Sequence, residues 1–435
     1  MSKTMKEIIE ESLHHFRAAN PAYARNERYY RGKHDLAFAT EKFASAFGSL
    51  FREFALNLCP AVCDAVRDKL RITGFLPRGA AATQASADVR RATSLAQDIW
   101  HRNRMPIRSA EVHREALVNG DAYAIVWPDA EGKPVIHPNR AANCFIVYDE
   151  EGRGQVVRAA KFWRTRDKRT RLNLFFPDRI ERYITARPGE GTLPSADEFV
   201  PFRDTSGRDG RSGTSGKASP GFAVANPFGV VPVFHFANNA DMGSFGRSEL
   251  ESAIPVQDGL NKSVLDMMVA MEFAAYRQRW AAGIEVQTDG EGRPDQPFKP
   301  GVDKLWLAQS PDARFGDFDT ADLDQFIKVK DSFRVDIASV TGTPLYYLLP
   351  SVRSFPSGEA QRKAETRFIA KVRNRQAAFG HTWAEVMGFA LRIEAGSAAP
   401  RLETEWEDPA AVSERELLEN ELLRRRLAPE PHNPA

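Results

Sequence analysis

The segment Gly213-Thr-Ser-Gly-Lys217 carries residue types with which a phosphate-binding loop holds a nucleotide. That loop needs a glycine five positions before its second glycine, and a Ser or Thr hydroxyl for Mg²⁺ directly after its lysine. Here Arg211 stands at the first glycine position and Ala218 replaces the hydroxyl residue. No strand pattern precedes the segment and no helix pattern follows it. We therefore expect no nucleotide site and no ATPase activity.

Two cysteines, Cys59 and Cys63, lie one helical turn apart and could offer two thiolate ligands to a metal ion. No His or Cys pair follows at zinc-finger spacing. The alternative, two small buried apolar side chains on one helix, is favoured. With Cys144 the chain has 3 cysteines, and an odd, small number favours reduced thiols without a disulfide framework.

Ser248 follows Gly246 outside the geometry of a nucleophile elbow. It opens the pattern Ser-Glu-Leu-Glu251, which is typical of a helix capping box. The histidines are scattered, and no pair of carboxylates stands out. We expect no catalytic residue, no metal and no cofactor, and hence no enzyme.

The stretch from Arg158 to Arg171 holds seven Lys or Arg side chains against Asp167. It could contact nucleic acid or an acidic scaffold, but a solvated hairpin turn is the favoured interpretation. The formal net charge of the chain is only +2. Such a balance argues against a surface devoted to nucleic acid, while it leaves room for a channel with a local field.

The chain has 435 residues, enough for two or more domains, and 42% of them are hydrophobic. Mean hydropathy is −0.44, and no apolar run is long enough to span a bilayer. The first residues lead into an amphipathic pattern and not into the apolar core of a signal peptide. We expect a protein that stays on the cytoplasmic side of the membrane.

The first part of the chain follows a helical period and then changes to a period of two. Predicted helices cover 4–19, 22–30, 41–71, 88–103 and 106–119, with Pro21 ending the first and Pro60 interrupting the third. Predicted strands cover 121–128, 133–137, 144–149, 155–164, 171–176, 179–185 and 231–236. The Gly/Ser-rich residues 203–219 have almost nothing to bury and predict a flexible surface insertion.

The second part is predicted to be helical again. Helices are expected at 256–280, 321–340, 359–394 and 413–427, the third about 50 Å long if straight. The first two flank a compact insert whose clearest strand is 302–307. Such a pair forms an antiparallel hairpin with the small module at its tip. Either neighbouring copies cover this hairpin in a ring, or it packs on its own chain.

Several short strings between residues 29 and 409 stand in an order that resembles the SPP1-type (Gp6-like) phage portal proteins of actinobacterial siphophages. No single string is decisive, but their order over this length is specific. The strings are Tyr29-Tyr-Arg-Gly32, Leu36-Ala-Phe38, Phe51-Arg-Glu-Phe54, Asn57-Leu-Cys-Pro60, Val66-Arg-Asp-Lys-Leu70, Gly120-Asp-Ala-Tyr-Ala-Ile-Val-Trp127, Gly246-Arg-Ser-Glu-Leu250, Asp258-Gly-Leu-Asn-Lys262, Thr341-Gly-Thr-Pro344, Pro356-Ser-Gly-Glu-Ala360 and Trp406-Glu-Asp-Pro409.

The resemblance implies an α+β portal-type fold of named parts. These are an α/β wing (1–245), two stem helices (246–281 and 319–340), a small β-containing clip (282–318), a tunnel loop (341–358), a long wing helix (359–404) and a short helical crown (405–435). It also implies a ring of about twelve copies at one capsid vertex, which conducts double-stranded DNA during packaging and ejection. The insertion at 203–219 and the short crown depart from the family pattern.

Further partners follow from the same resemblance. They are the terminase large subunit, the major capsid and scaffolding proteins, and a head-completion or adaptor protein, with no membrane. The expected location is the virion, after assembly in the host cytoplasm. Another head–tail adaptor or structural protein, or a nucleic-acid-processing enzyme, remains an alternative.

Candidate site residues are polar or aromatic side chains of the stem and tunnel loop. The DNA-channel lining is predicted to include Lys262, Lys328, Lys330, Arg334, Tyr346, Tyr347, Arg353 and Ser354. The charged members could instead lie on solvated helix faces or in ion pairs between subunits. The two tyrosines could instead fix the loop to its own helix. Trp280 and Trp306 are predicted to pack between subunits at the clip, with a simple core role as the alternative.

Overall fold

The structure is a computed structural model. It describes residues 4–41, 45–46, 56–77, 87–149, 151, 154–189, 193–202, 222–241, 245–275, 279–283, 312–317, 324–349, 358–396 and 400–410. The predicted insertion at 203–219, strand at 302–307 and helix at 413–427 lie outside these ranges. The chain forms two compact units, the first comprising Met1–His34, Asn57–Pro255 and Ile337–Ala435, the second Asp35–Leu56 and Val256–Asp336.

The described helices and strands confirm a mixed helix-and-sheet fold. The helices are α1 (Met5–Tyr30), α2 (Cys59–Arg67), α3 (Ala87–Arg102), α4 (Met105–Asn119), α5 (Ala253–Ala275), α6 (Asp324–Thr341) and α7 (Gly358–Ala395). The strands are β1 (Ile72–Pro77), β2 (Asp121–Pro128), β3 (Pro134–Arg140), β4 (Cys144–Tyr148), β5 (Val156–Arg164), β6 (Thr170–Phe175), β7 (Arg179–Thr185), β8 (Phe199–Pro201), β9 (Ala223–Ala225), β10 (Val233–Ala237), β11 (Arg279–Ala282), β12 (Arg314–Asp317) and β13 (Leu402–Trp406).

Helix α1 corrects the prediction that Pro21 ends the first helix. It begins with the predicted capping box between Thr4 and Glu7 and continues through Pro21 to Tyr30. A proline inside a helix costs about 3 kcal/mol because it removes a backbone hydrogen bond and clashes with the preceding turn. Buried Tyr23 and Tyr29 hold the part beyond Pro21 against the fold, and this packing outweighs the loss.

Pro60 also acts differently from the prediction. Helix α2 covers only Cys59–Arg67, with Pro60 in its first turn. Proline is favoured there because the first helical N–H groups have no partner within the helix. Pro60 therefore begins a helix and does not interrupt one.

The main sheet of the first unit has the strand order β4-β5-β6-β7-β8, and β9 pairs with β7. Successive side chains of a strand point to opposite faces. On β5, Ala160 joins a core cluster with Phe16 of α1, while its neighbour Ala159 joins a second cluster with Tyr123 of β2. Helix α1 therefore covers one face of this sheet, and the three-stranded sheet β10-β2-β3 contributes to the core on the other.

Helix α7 is the long helix predicted at 359–394, and it carries the other main core of the first unit. Its Trp383 is fully buried and contacts Phe236 of β10 at a ring-centroid distance of 4.6 Å. Trp383 Nε1 also donates a hydrogen bond to His113 Nε2 of α4 at 2.8 Å. Strands β1 and β13, which the sequence did not predict, form an antiparallel pair. A methyl group on Gly380 of α7 would lie 2.8 Å from Trp406 Nε1, so this glycine permits close packing with β13.

The second unit contains most of α5 and α6 and the antiparallel pair β11–β12. The prediction extended the first of these helices to residue 280, but α5 ends at Ala275 and Trp280 lies in β11. Trp280 pairs with Gly316 across the two strands. A methyl group on Gly316 would lie 2.6 Å from the indole ring, so the ring covers the glycine.

Candidate functional site: the helix pair and its anchor

Helices α5 and α6 pack against each other within the second unit, as the predicted hairpin requires. A methyl group on Gly259 of α5 would lie 2.9 Å from the ring of Phe333 of α6. This glycine therefore lets the two helices approach closely. Strand β11 follows α5 in sequence, and β12 precedes α6. The two strands pair as a small antiparallel ribbon.

The second unit exposes large apolar side chains in unusual number. Among the described residues, 13 large hydrophobic side chains are exposed, and seven belong to this smaller unit. They are Phe38, Met271, Trp280, Phe315, Ile327, Val329 and Val335. An apolar side chain gains about 1.5–3 kcal/mol when it is fully buried, so a set of this size favours a covering partner.

The exposed apolar side chains of α6 within the second unit, Ile327, Val329 and Val335, point in different directions around that helix. With 3.6 residues per turn, Phe326 and Phe333 share the face that packs on α5. From Phe333, Ile327 lies about 120° around the helix in one direction and Val329 about 40° in the other, while Val335, about 160° away, lies on the opposite face. Each side chain of this trio is between 43% and 47% exposed. The helix therefore offers apolar contacts in two lateral directions.

The predicted channel residues of α5 and α6 differ in exposure. Lys328 is exposed, and it shares a polar face with Gln325 and Ser332, about 80–140° around the helix from Phe333. Lys330 is half-buried. Two further residues form ion pairs one turn along their own helices. These are Lys262 with Asp266, and Arg334 with Asp331 at 3.2 Å.

The predicted loop tyrosines lie against α7. Residues Leu345–Tyr347 form one turn of 3₁₀-helix. The Tyr346 hydroxyl donates a hydrogen bond to the Glu365 carboxylate, and burial together with this bond raises the pKa of Tyr346 above its ordinary range. The Tyr347 ring lies 5.9 Å from that of Phe368. Both contacts support attachment of the loop to its own helix. Arg353, Ser354 and Trp306 lie outside the described residues.

The segment that leads into α5 is held against the end of α4 by two glycines. A methyl group on Gly246 would lie 1.9 Å from the Gly120 carbonyl oxygen. Gly120 has φ +93°, a conformation that glycine adopts readily. Its carbonyl oxygen accepts a hydrogen bond from Asn238 N at 2.7 Å. Three segments far apart in sequence therefore meet at this point.

The Asp121 carboxylate binds several groups at the same point, although the residue is only 1% exposed. It accepts hydrogen bonds from the Tyr23 hydroxyl at 2.8 Å and from Gly246 N at 2.7 Å. His235 Nε2 lies 2.7 Å from Asp121 Oδ1, and its Nδ1 lies 2.8 Å from the Tyr148 hydroxyl. Partners of this kind offset the cost of burying a charge. The cluster thus joins α1, β2, β10 and the segment before α5.

Glu249 forms the second anchor, with two cations of α7. Lys371 Nζ lies 2.6 Å from Glu249 Oε2, and Arg375 Nη2 lies 2.8 Å from Glu249 Oε1. Burial alone would raise the pKa of the Glu249 carboxyl. The charges and hydrogen bonds of Lys371 and Arg375 outweigh burial and hold that pKa below its ordinary value.

Lys371 also reaches the end of α6. Its Nζ donates a hydrogen bond to the carbonyl oxygen of Thr341, the last residue of that helix, at 2.8 Å. One lysine of the long helix therefore contacts both the segment that precedes α5 and the residue that ends α6.

Ser248 does not cap α5 as the sequence predicted. Its hydroxyl donates to the Val118 carbonyl oxygen and accepts from Leu250 N at 3.0 Å. Because Ser248 and Glu249 are engaged elsewhere, the helix begins only at Ala253. Ser248 therefore orients the segment before α5. Its two hydrogen-bond partners are backbone groups, which do not activate a nucleophile.

The three cysteines are buried, and the basic stretch is paired within the fold. Cys59, Cys63 and Cys144 are buried and form no disulfide with one another. The basic stretch forms the β5–β6 hairpin, in which Arg158 pairs with Glu11 of α1 at 2.9 Å. Within the described ranges, no group of three or more His, Cys, Asp or Glu side chains is placed to hold a metal ion. No helix in these ranges is long and apolar enough to cross a membrane.

Sequence reasoning missed Asp121, His235, Glu249, Lys371 and Arg375 as the residues that hold the segment before α5. Asp121 and Glu249 do lie inside two of the strings that carry the resemblance, Gly120-Asp and Gly246-Arg-Ser-Glu. Their position inside these strings was the signal that the sequence offered for these two residues. The partners on α7 and β10 are more than one hundred residues away from them in sequence and gave none.

The comparison with known proteins assigns the family. Residues 82–422 match the family described as phage portal protein, SPP1 Gp6-like. This match covers most of the chain, and the chain belongs to that family.

Two curated relatives are portal proteins of mycobacterial phages. The portal protein of Mycobacterium phage L5 is 30% identical over 198 residues, which are 43% of this chain and 40% of that protein. The portal protein of Mycobacterium phage D29 is 29% identical over 198 residues, which are 43% of this chain and 41% of that protein. The matched part thus spans less than half the length of either relative.

A solved structure covers more of the chain at lower similarity. It is described as the virion of a native gene transfer agent particle, and it aligns with 86% of each chain at 11% identity and a TM-score of 0.45. A TM-score this low adds nothing to the family assignment.

Proposed function

We propose that this chain is the subunit of a portal ring, in which identical copies surround a central channel. The observation that carries the proposal is the set of exposed apolar side chains on the second unit. Apolar contacts on two sides of α6 fit a subunit that touches one neighbour on each side, as cyclic symmetry requires. A ring of about twelve copies is the expectation for this family.

The channel would conduct double-stranded DNA without sequence preference during packaging and ejection. Each phosphate that a Lys or Arg neutralises releases counterions and strengthens binding, so a strongly basic wall would hold the DNA. The α6 face with Gln325, Lys328 and Ser332 is polar and weakly charged, and Lys262 and Arg334 each have a carboxylate partner. A wall of this composition would let a polyanion slide.

In this proposal the parts of the chain follow the portal plan. The wing comprises 1–245 and the long helix 359–404, the stem 246–281 and 319–340, the clip 282–318, the tunnel loop 341–358 and the crown 405–435. The Glu249–Lys371–Arg375 ion pairs would then hold the segment before α5 against the long wing helix. Trp280 would pack at the clip, and Tyr346 and Tyr347 would fix the base of the tunnel loop to the long helix.

The proposed partners are those of a capsid vertex. They are the terminase large subunit during packaging, the major capsid and scaffolding proteins during assembly in the host cytoplasm, and a head-completion or adaptor protein in the virion.

Negative-stain electron microscopy of the purified full-length chain, combined with mass measurement of the assembly, tests the proposal. We expect rings with a central hole and a mass of roughly ten or more copies. A monomer at micromolar concentration would favour an adaptor that oligomerises only on docking. A nuclease or ATPase activity that co-purifies with the monomer would favour the enzyme alternative.

A further inference from the structure

A pocket of about 270 Å³ lies between α1 and α4. Five of its lining side chains carry oxygen atoms: Asn20, Tyr23 and Glu27 from α1, and Glu115 and Asn119 from α4. The Tyr23 hydroxyl already donates to Asp121. The guanidinium of exposed Arg140 also lines it. The pocket therefore combines two carboxylates and two amides, with one cation beside them.

Two of these oxygens lack a hydrogen-bond partner among the residues that the structure describes. They are Asn119 Oδ1, in a side chain only 7% exposed, and Asn20 Oδ1. Asn119 Nδ2 donates to Glu115 Oε1 at 2.9 Å, which fixes which end of this amide is the oxygen. A buried acceptor without a donor costs about 1–3 kcal/mol. We therefore expect a cation or a hydrogen-bond donor next to Asn119 Oδ1.

The carboxylate of Glu115 points to the same need. The residue is 6% exposed, and its Oε1 also accepts a hydrogen bond from Ala141 N at 3.1 Å. Burying a carboxylate is costly unless hydrogen bonds or an opposite charge compensate for it. A cation between the two carboxylates would stabilise their charged forms.

We propose that this pocket binds a calcium ion through the Glu27 and Glu115 carboxylates and the Asn20 and Asn119 amide oxygens. Ca²⁺ accepts a mixed, irregular set of carboxylate and carbonyl oxygens, whereas Mg²⁺ demands near-ideal octahedral geometry and retains its water. Glu27 already accepts a hydrogen bond from Arg31 Nε at 2.8 Å, so it would share its charge between Arg31 and the ion. Arg140 is the competing positive charge, and its exposed side chain can turn to solvent. The bound ion would join α1 to α4.

Calorimetric titration of the full-length chain with calcium chloride, after removal of metals with a chelator, tests the proposal. We expect one site with a Kd of about 1 mM or tighter, and binding of magnesium at least about tenfold weaker. Glu115→Gln keeps an oxygen for Asn119 and Ala141 and should weaken calcium binding about tenfold or more. Arg140→Ala should strengthen it.

The control is Glu111→Gln, which removes the same charge from an exposed position one turn earlier on α4 and should leave the affinity unchanged. If Glu115→Gln unfolds the chain, Asn20→Ala on the half-buried face of α1 replaces it and should weaken binding likewise. Absence of calcium binding in both the wild type and Arg140→Ala would mean that water satisfies these oxygens, and it would overturn the proposal. Unchanged calcium affinity in Glu115→Gln would overturn it as well.

Discussion

Gly246 lies so close to Gly120 that neither residue has room for a side chain. The two are 126 positions apart, and each belongs to a different short string of the portal resemblance. Their contact places the start of the segment before α5 directly on the end of α4. The glycines are thus explained by packing at the base of the helix pair, without a chemical role.

Gly246→Ala should lower the free energy of unfolding by about 2 kcal/mol or more, because the new methyl group would overlap the Gly120 carbonyl oxygen. Urea denaturation followed by tryptophan fluorescence measures the change. Gly388→Ala on α7 is the control, since a methyl group there meets nothing within 4 Å. That variant should be neutral or slightly more stable, as alanine favours helix more than glycine does. Equal effects of the two substitutions would contradict the packing argument.

Glu249→Gln should destabilise the chain by about 3 kcal/mol or more, because it leaves Lys371 and Arg375 charged and without their buried carboxylate. Glu251→Gln changes an exposed carboxylate two residues later and should have little effect. The same denaturation measurement compares them. A Glu249→Gln variant as stable as wild type would show that solvent reaches the two cations.

The acid stability of the chain should depend on Glu249. Its pKa is lower in the folded chain than the ordinary 4.5, so the unfolded chain takes up a proton at this site first. The contribution of Glu249 is fully present above about pH 4.5 and is lost as the pH falls through the lower, folded value. Stability measured from pH 6 to pH 3 should therefore fall less steeply in Glu249→Gln than in wild type.

His113 should produce a pH dependence at milder acidity. Burial lowers its pKa from 6.5 to about 3, so the unfolded chain binds a proton below about pH 6.5 while the folded chain does not. The stability contribution is complete above that pH and declines by about 1.4 kcal/mol per pH unit down to about pH 3. His113→Gln should remove that slope between pH 6 and pH 4. His101→Gln, at an exposed position on α3, should retain it.

Apolar side chains on the sides of α6 should control assembly. Ile327→Lys and Val329→Lys should each abolish rings in negative stain and leave monomers with an unchanged circular dichroism spectrum, because a charge replaces an exposed apolar contact. Ser332→Lys adds the same charge on the polar face and should still assemble. Rings formed by all three variants would place the subunit contacts elsewhere on the chain.

Local patterns predicted most of the fold. The strands from 121 to 185 either alternate apolar and polar side chains or run apolar between turn residues, and both patterns are local to each strand. The prediction failed where a distant residue decided the outcome. Pro21 stays inside α1 because Tyr23 is bound to Asp121, 98 residues away. Likewise, Ser248 is drawn to the Val118 carbonyl oxygen and does not cap α5.

The candidate site was less predictable for the same reason. The sequence indicated the helix pair, since helical periodicity is local. It gave no sign that Lys371 pairs with Glu249, because such an ion pair depends on how α7 lies against the segment before α5. The lateral exposure of Ile327 and Val329 was equally hidden, since an apolar residue on a helix is usually in the core.

The unlike sides of α6 give the proposed assembly a direction. If the Ile327 side of one copy meets the Val329 side of the next, every contact is heterologous, and a growing arc always ends in the same two unmatched surfaces. Growth then stops only when the last copy reaches the first. A copy altered on one side alone could still attach to an arc and would stop its growth at that end. A minority of such copies should therefore prevent most rings from closing.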